Sequence, residues 1–213
     1  MKIINYKRLC LSLLLMKILC FADVHSHKES LIQLVQKARD ADVLVCAGDL
    51  SIFGQGLEKS TQMLTRTGKM MLMVPGNHES EEEVKELSRR FQQVIPLHKH
   101  VYTLGDYVFV GYGEGGFSFR DPGMESFFRK IRVHLSPHQK IIFVTHAPPY
   151  RTTLDYLPWL REHRGCKTTA EIIKHMKPAL TVCGHFHETS GKSCMVGKTL
   201  VVNPGPRGKI VHV

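Results

Sequence analysis

The stretch KILCFADVH, residues 17–25, opens with a near-continuous apolar run and ends in a carboxylate and an imidazole two residues apart. A short apolar run without polar alternation is what a strand covered on both faces looks like. Four further runs repeat the pattern. VLVCA (43–47) leads into Gly48-Asp49, MMLMV (70–74) into Gly76-Asn77-His78-Glu79, KIIFVT (140–145) into His146, and LTVC (180–183) into Gly184-His185-Phe186-His187. Every run therefore delivers polar groups to one edge of the protein.

Between the runs lie helical patterns. Ser26 with Glu29 reads as a capping box before Leu31, Leu34, Val35 and Ala38, which leaves His27 exposed in the first turn. Ser80 with Glu83 repeats the signature before Val84, Leu87 and Phe91, with Pro96 closing that helix. Asp121-Pro122 opens another with Met124, Phe127, Phe128, Ile131 and Leu135 on one face, and Thr168 with Glu171 caps a last one ending before Pro178. Paired strands are expected around Gly105-Asp106, and further strands from Cys194 to the end. Strands alternating with helices imply an α/β protein with a largely parallel sheet, and a second sheet or antiparallel edges in the later half. In such sheets ligands bind beyond the carboxyl ends of the strands.

The 213 residues suffice for one sizeable core, and 43% apolar with 23% charged residues is an ordinary globular composition. A formal charge of +10 favours anionic partners, yet no block of five or six like charges marks a nucleic-acid arm. The six cysteines show no C-x-x-C spacing, and Cys20, Cys46 and Cys183 lie inside apolar runs, so they read as buried thiols in a reducing, cytoplasmic setting. Lys2, Lys7 and Arg8 before the apolar stretch from Leu9 to Met16 have the outline of a signal peptide, but Lys17 interrupts it and no A-x-A site follows. The run is too short to span a bilayer, so no membrane partner is expected. Residues 1–15 are accordingly expected to be a dispensable extension or a misassigned start, and residues 16–213 one domain.

Seven side chains gathered at the strand ends, Asp23, His25, Asp49, Asn77, His146, His185 and His187, carry the oxygen and nitrogen donors that borderline divalent metals prefer. That number is enough for two ions sharing a bridging carboxylate. Each motif alone is common. Their joint placement at the ends of five successive strand candidates is not, and it uses five of the chain's thirteen histidines once His78 is counted.

With this ordered set, D-x-H, G-D, G-N-H-E, H and G-H-x-H, the chain resembles the calcineurin-like metallophosphoesterases from about Met16 onward. The resemblance implies a four-layer α/β/β/α sandwich of two mixed β-sheets flanked by helices. It also implies a dinuclear centre in which Asp23, His25 and His187 bind one metal, Asn77, His146 and His185 the other, and Asp49 bridges them. Manganese is the first expectation, with iron, zinc or cobalt as alternatives. By the same resemblance a hydroxide bridging the metals attacks the phosphorus of a phosphomonoester or phosphodiester, a nucleotide among them, and His78 acts as general acid.

The continuation Leu50-Ser51-Ile52-Phe53-Gly54 lacks the arginine that protein Ser/Thr phosphatases of the family usually carry after Gly-Asp. A nuclease would suit the charge but normally adds a DNA-contacting region for which this chain is short. A non-catalytic scaffold of the same fold should have lost His78 or a ligand, and none is missing. Arg151, Arg161, His163, Arg164 and Lys167 surround the loop after His146; one of them is expected to contact substrate, with Arg161 and His163 the named candidates and the choice open.

Overall fold

The computed structural model describes residues 15–135 and 138–213. Strands β1 (Lys17–Phe21), β2 (Val43–Cys46), β3 (Met71–Met73) and β4 (Val94–Pro96) run parallel in one sheet, joined through α1 (Lys28–Lys37), α2 (Leu57–Thr65) and α3 (Glu81–Arg90). A hairpin of β5 (His100–Leu104) and β6 (Tyr107–Tyr112) begins the second sheet. It is followed by α4 (Pro122–Ile131), β7 (Lys140–Thr145), a two-strand ribbon of β8 (Tyr156–Leu157) and β9 (Glu162–His163), α5 (Lys167–Met176) and β10 (Leu180–Val182). Strands β11 (Ser193–Val196) and β12 (Thr199–Val202) complete that sheet, and β13 (Lys209–His212) crosses over to lie antiparallel to β1. The sheet orders are β13-β1-β2-β3-β4 and β11-β12-β10-β7-β6-β5, both mixed.

Period-two alternation along the strands divides the core into three layers of side chains. Ile18, Cys20, Val43, Val45 and Leu72 of the first sheet meet Phe109, Ile142, Val144, Leu180 and Val182 of the second. The intervening residues Leu19, Phe21, Leu44 and Met73 pack outward against Leu31 and Leu34 of α1, Leu64 of α2 and Val84 of α3. On the far side, Val108, Val110 and Phe143 meet Met124 and Phe128 of α4 and Ile173 of α5. The expected four-layer sandwich is therefore the observed one, and it explains why the central strands are apolar on both faces.

The helices are less legible than the strands. Ser80 and Glu83 do form the reciprocal capping box of α3, and Asp121 caps α4 by accepting from the Met124 N–H. Ser26 does not cap α1, whose N-cap is His27 without a side-chain bond; the Ser26 hydroxyl instead donates to the Gln55 carbonyl. Thr168 lies inside α5 and accepts from the Asp121 N–H, so the cap there is Cys166. Helix α3 ends at Arg90, and Pro96 belongs to β4, an edge strand, where a missing N–H is tolerated. Helix α2, which follows Gly56 in a left-handed conformation, has no counterpart among the expected helices. The expectation for residues 1–15 concerns a stretch that, Leu15 apart, lies outside the described residues. Among the described residues no helix is long and apolar enough to cross a membrane.

Phe109 is fully buried between the sheets. Phe109→Ala is expected to lower the unfolding free energy by about 3–5 kcal/mol through lost burial and a cavity, measurable by urea titration.

Candidate metal centre

The carboxyl ends of β1, β2, β3, β7 and β10 converge, and the turns beyond them are unusually tight. Asp23, His25, Asp49 and His185 all have left-handed backbones, with φ of 57°, 48°, 54° and 72°. Non-glycine residues adopt that region at a cost on the order of 1–3 kcal/mol each, and they persist where surrounding bonds over-determine them. Those bonds are present. The Asp23 N–H donates to the Gly48 carbonyl at 3.1 Å, the His25 N–H to the Asp49 carbonyl at 3.0 Å, and the Gly184 N–H to the His146 carbonyl at 3.0 Å. Across the two sheets, the His185 N–H donates to Asp23 Oδ1 at 3.0 Å. Gly48 and Gly76 let the second and third turns interlock, since a Cβ on Gly48 would come within 2.6 Å of Gly76 Cα and one on Gly76 would overlap the Asp49 carboxylate.

Glu79 fastens the same two turns. Its buried carboxylate accepts from the N–H groups of Asp49 (2.9 Å), Ser51 (2.7 Å) and Gly76 (3.2 Å), and from the Ser51 hydroxyl (2.7 Å). Its place next to G-N-H is the signal available in the sequence, but its partners lie nearly thirty residues upstream or in its own turn.

The donor atoms gather around Asp49. Its Oδ2 lies 3.4 Å from His146 Nε2 and 3.9 Å from both His25 Nε2 and His78 Nε2, while Oδ1 accepts from the His78 N–H at 3.0 Å. On one side Asp23, His25 and His187 bring ligand atoms within 4.8 Å of one another, with the two Nε2 atoms of His25 and His187 at 3.2 Å. On the other, Asn77 Oδ1 sits 3.0 Å from His146 Nε2 and 2.9 Å from His185 Nδ1. All seven expected side chains are brought together.

Three observations fit this set to divalent cations. Asp23 Oδ2 is buried with no hydrogen-bond partner, a state that is costly unless a cation or water supplies one. His25 Nδ1 and His146 Nδ1 face the carbonyls of Ser51 (3.0 Å) and Ala47 (2.8 Å). Only an N–H can bond there, so each Nε2 is the nitrogen turned into the centre and able to ligate once it carries no proton, the usual arrangement of ligating histidines. A mixed carboxylate, amide and imidazole set suits manganese, iron, zinc or cobalt.

Without metal the charges compensate one another. Burial disfavours ionised Asp49, but the bond and charge of His146 and the His78 N–H outweigh it and hold the carboxyl at about 2. Burial likewise opposes a charged His146, and Asp49 with Asp23 overrides it to lift the imidazole to about 9. Desolvation first, and then the charge of His146, depresses His185 to about 4. Burial raises Asp23.

A separate group, Glu81, His98 and Glu114, also clusters its ligand atoms. It is a poor cation site. The Gly113 N–H donates to His98 Nδ1 at 2.9 Å, so the ring proton lies on Nε2, which points at Glu81 (3.4 Å) and Glu114 (3.7 Å) and has no lone pair to give.

His78 is half-buried beside the centre, its ring 4.3 Å from that of Phe53 and 4.9 Å from that of His25. His163 is held by Asp155 at 2.8 Å and lines a cavity with Tyr150 and Arg151, whereas Arg161 is exposed. Arg164 is the basic residue that lines a cleft together with His185 and His187.

A family model described as calcineurin-like phosphoesterase matches residues 16–189. The uncharacterized protein MJ1162 of Methanocaldococcus jannaschii is 32% identical over 208 residues, covering 92% of this chain and 91% of its own. Among solved structures, TT1561 of Thermus thermophilus aligns with a TM-score of 0.72 at 17% identity, over 93% of this chain and 99% of that one. The phosphopantetheinyl hydrolase PptH of Mycobacterium tuberculosis aligns with a TM-score of 0.65 at 16% identity, over 90% and 89%.

Because metal-free His146 keeps its proton up to about pH 9, an ion that takes its Nε2 must displace that proton. Metal binding at neutral pH is expected to release protons and to weaken about tenfold for each unit that the pH falls, per proton displaced; calorimetry in buffers of different ionisation enthalpy reads the proton release directly. The sign for metal-free stability follows too. With the folded value above the unfolded one of about 6.5, the His146 contribution is fully present below the unfolded value and is lost as pH rises through about 9.

Proposed function

This chain belongs to the calcineurin-like phosphoesterase family, and on that premise we propose that its centre hydrolyses a small phosphomonoester or phosphodiester, nucleotides included, with His78 as the acid. It is a metal-dependent phosphoester hydrolase. The observation that carries the finer reading is the convergence of Asp23, His25, Asp49, Asn77, His146, His185 and His187 on one buried carboxylate, with no ligand missing.

In this reading Asp23, His25 and His187 would hold one ion and Asn77, His146 and His185 the other, with Asp49 available to both. Two bound ions supply Lewis-acid charge for the phosphoryl oxygens and a hydrolytic nucleophile. The chain's own part is to hold these donors rigid, which the buried bonds of Glu79 and the left-handed turns support. His78 is not needed as a ligand. Its backbone N–H fixes Asp49 Oδ1 while its half-buried ring, braced on Phe53, holds Nε2 3.9 Å from Asp49 Oδ2, beside the centre, where an imidazolium can protonate the departing oxygen.

Manganese is the first choice of metal for such a mixed oxygen and nitrogen set. The unpaired thiols of Cys20, Cys46, Cys166 and Cys183, all buried, support a reducing, cytoplasmic setting. A phosphorylated small molecule is the expected partner, with nucleic acid less favoured.

His78→Ala is expected to retain both metals by elemental analysis and to lose about 10²–10⁴-fold in turnover. The loss should be greatest on alkyl esters, whose leaving group needs a proton; an unchanged rate there removes His78 from the mechanism. Asp49→Asn is expected to lose metal and hydrolysis together. If it instead alters binding of a protein partner in a chain that hydrolyses nothing, the scaffold reading takes over. A panel of phosphomonoesters, diesters and cyclic nucleotides with manganese, iron, zinc and cobalt identifies the preferred ester.

A further inference from the structure

Beside the metal centre lies a cleft of about 480 Å³ that shares His185 and His187 with it. That volume is in the range of a small-molecule site, about 300–1,000 Å³. Its outer wall is made by Phe117, Trp159 and Leu160, with Arg164 at the side. Phe117 is 79% exposed and Trp159 68% exposed, so two large aromatic faces stand in water in one concavity. Single exposed apolar residues need no explanation, but a group of them around a polar centre marks a binding surface.

Both rings are tethered to the same G-H-x-H turn. The edge of the Phe117 ring meets the ring of His185 at a centroid distance of 4.7 Å and an angle of 85°. The Trp159 indole N–H donates to Glu188, the residue after His187, at 3.4 Å. Each aromatic face is thus held in a set orientation next to metal-ligating candidates, whereas a surface selected only for greasy bulk needs no such fixing.

We propose that this cleft is the subsite for the organic part of the substrate, and that it selects esters carrying a flat aromatic ring joined to the phosphoryl group by a short linker, stacked on Phe117 and Trp159. The proposal rests on the hydrolase reading above and adds the substrate class to it. Aromatic pairs gain beyond simple area burial, which gives a planar ring an advantage over an aliphatic one of equal size. The Arg164 guanidinium, paired with Glu162 at 2.8 Å, adds a cation that can lie over the same ring. Phe117, Trp159 and Arg164 are specificity residues in this scheme; the reacting atoms stay with the metal centre and His78.

Trp159 is the only tryptophan of the chain, so its fluorescence reports on this cleft without background. Zinc-loaded protein is titrated with 2-phenylethylphosphonate, 2-cyclohexylethylphosphonate and ethylphosphonate, none of which can be hydrolysed. The phenyl compound is expected to quench Trp159 and to bind at least about threefold more tightly than the cyclohexyl one, and more tightly again than ethylphosphonate. Phe117→Leu, which keeps the apolar bulk and removes the flat face, is expected to weaken the phenyl compound by about three- to tenfold and to close the gap to the cyclohexyl one. Phe117→Ala serves as the second variant, and the exposure of the side chain makes misfolding of either unexpected.

In parallel, kcat/KM for 2-phenylethyl phosphate should exceed that for ethyl phosphate, and this ratio should fall toward one in both variants. Equal quenching by the phenyl and cyclohexyl compounds, or none by the phenyl compound in a protein that hydrolyses both esters, overturns the ring subsite and leaves the hydrolase reading intact. Ring-dependent quenching in a protein that hydrolyses no ester with any of the four metals overturns the reading beneath it, and with it the assignment of the cleft to a substrate.

Discussion

Asp49 is 2% exposed and ionised, and a carboxylate taken that far from water persists only where other groups replace its hydration. In this protein the replacement comes from every direction at once. The His78 N–H bonds one oxygen, three imidazoles surround the other, and the residue's own N–H is held by Glu79. Moving Asp49 would take away the partners of the His78 N–H, bonded to its carboxylate, and of the His25 N–H, bonded to its carbonyl. At the same edge the two sheets are bridged by His146 Nδ1 at the Ala47 carbonyl and by the His185 N–H at Asp23 Oδ1.

A second constraint lies in the backbone. Four of the residues gathered there sit in the left-handed region, where L residues are strained. Unconstrained turns would relax; these are held by cross-turn hydrogen bonds and by the interlocking of Gly48 with Gly76. The apolar layers beneath supply the stability that makes such a strained, charge-dense edge sustainable. Phe109, Val144 and Val182 pack against Ile18, Cys20 and Val45 immediately below the turns.

Around the rigid centre the surface is less constrained, and there the chain has room for individuality. The ring of Phe53 leans on His78, Phe117 touches His185, and Trp159 reaches Glu188. In the proposed reading metal ligation and proton donation belong to the strand ends, whereas the aromatic rings beside them, Phe53, Phe117 and Trp159, come from loops after β2, after β6 and between β8 and β9. This division is the common one in which a scaffold fixes the chemistry and its loops choose the molecule.

The linear sequence determined the five central strands, β1, β2, β3, β7 and β10, the edge to which they deliver polar groups, and the seven candidate ligands that gather there. Each depends on local order: a strand buried on both faces writes itself as an unbroken apolar run, and the turn that follows it must carry the polar group. Capping proved less local. Ser26 and Thr168 have the right spacing to cap, but their hydroxyls found partners in Gln55 and Glu125, distant in sequence. The tertiary structure alone decided that Glu79 braces two turns, that Pro96 could sit in an edge strand, and that Arg164, with Phe117 and Trp159, lines the cleft by the centre while Arg161 and His163 do not. Hydrogen bonds and clefts are made by groups that only folding brings together, and no spacing along the chain encodes which of several like residues will arrive.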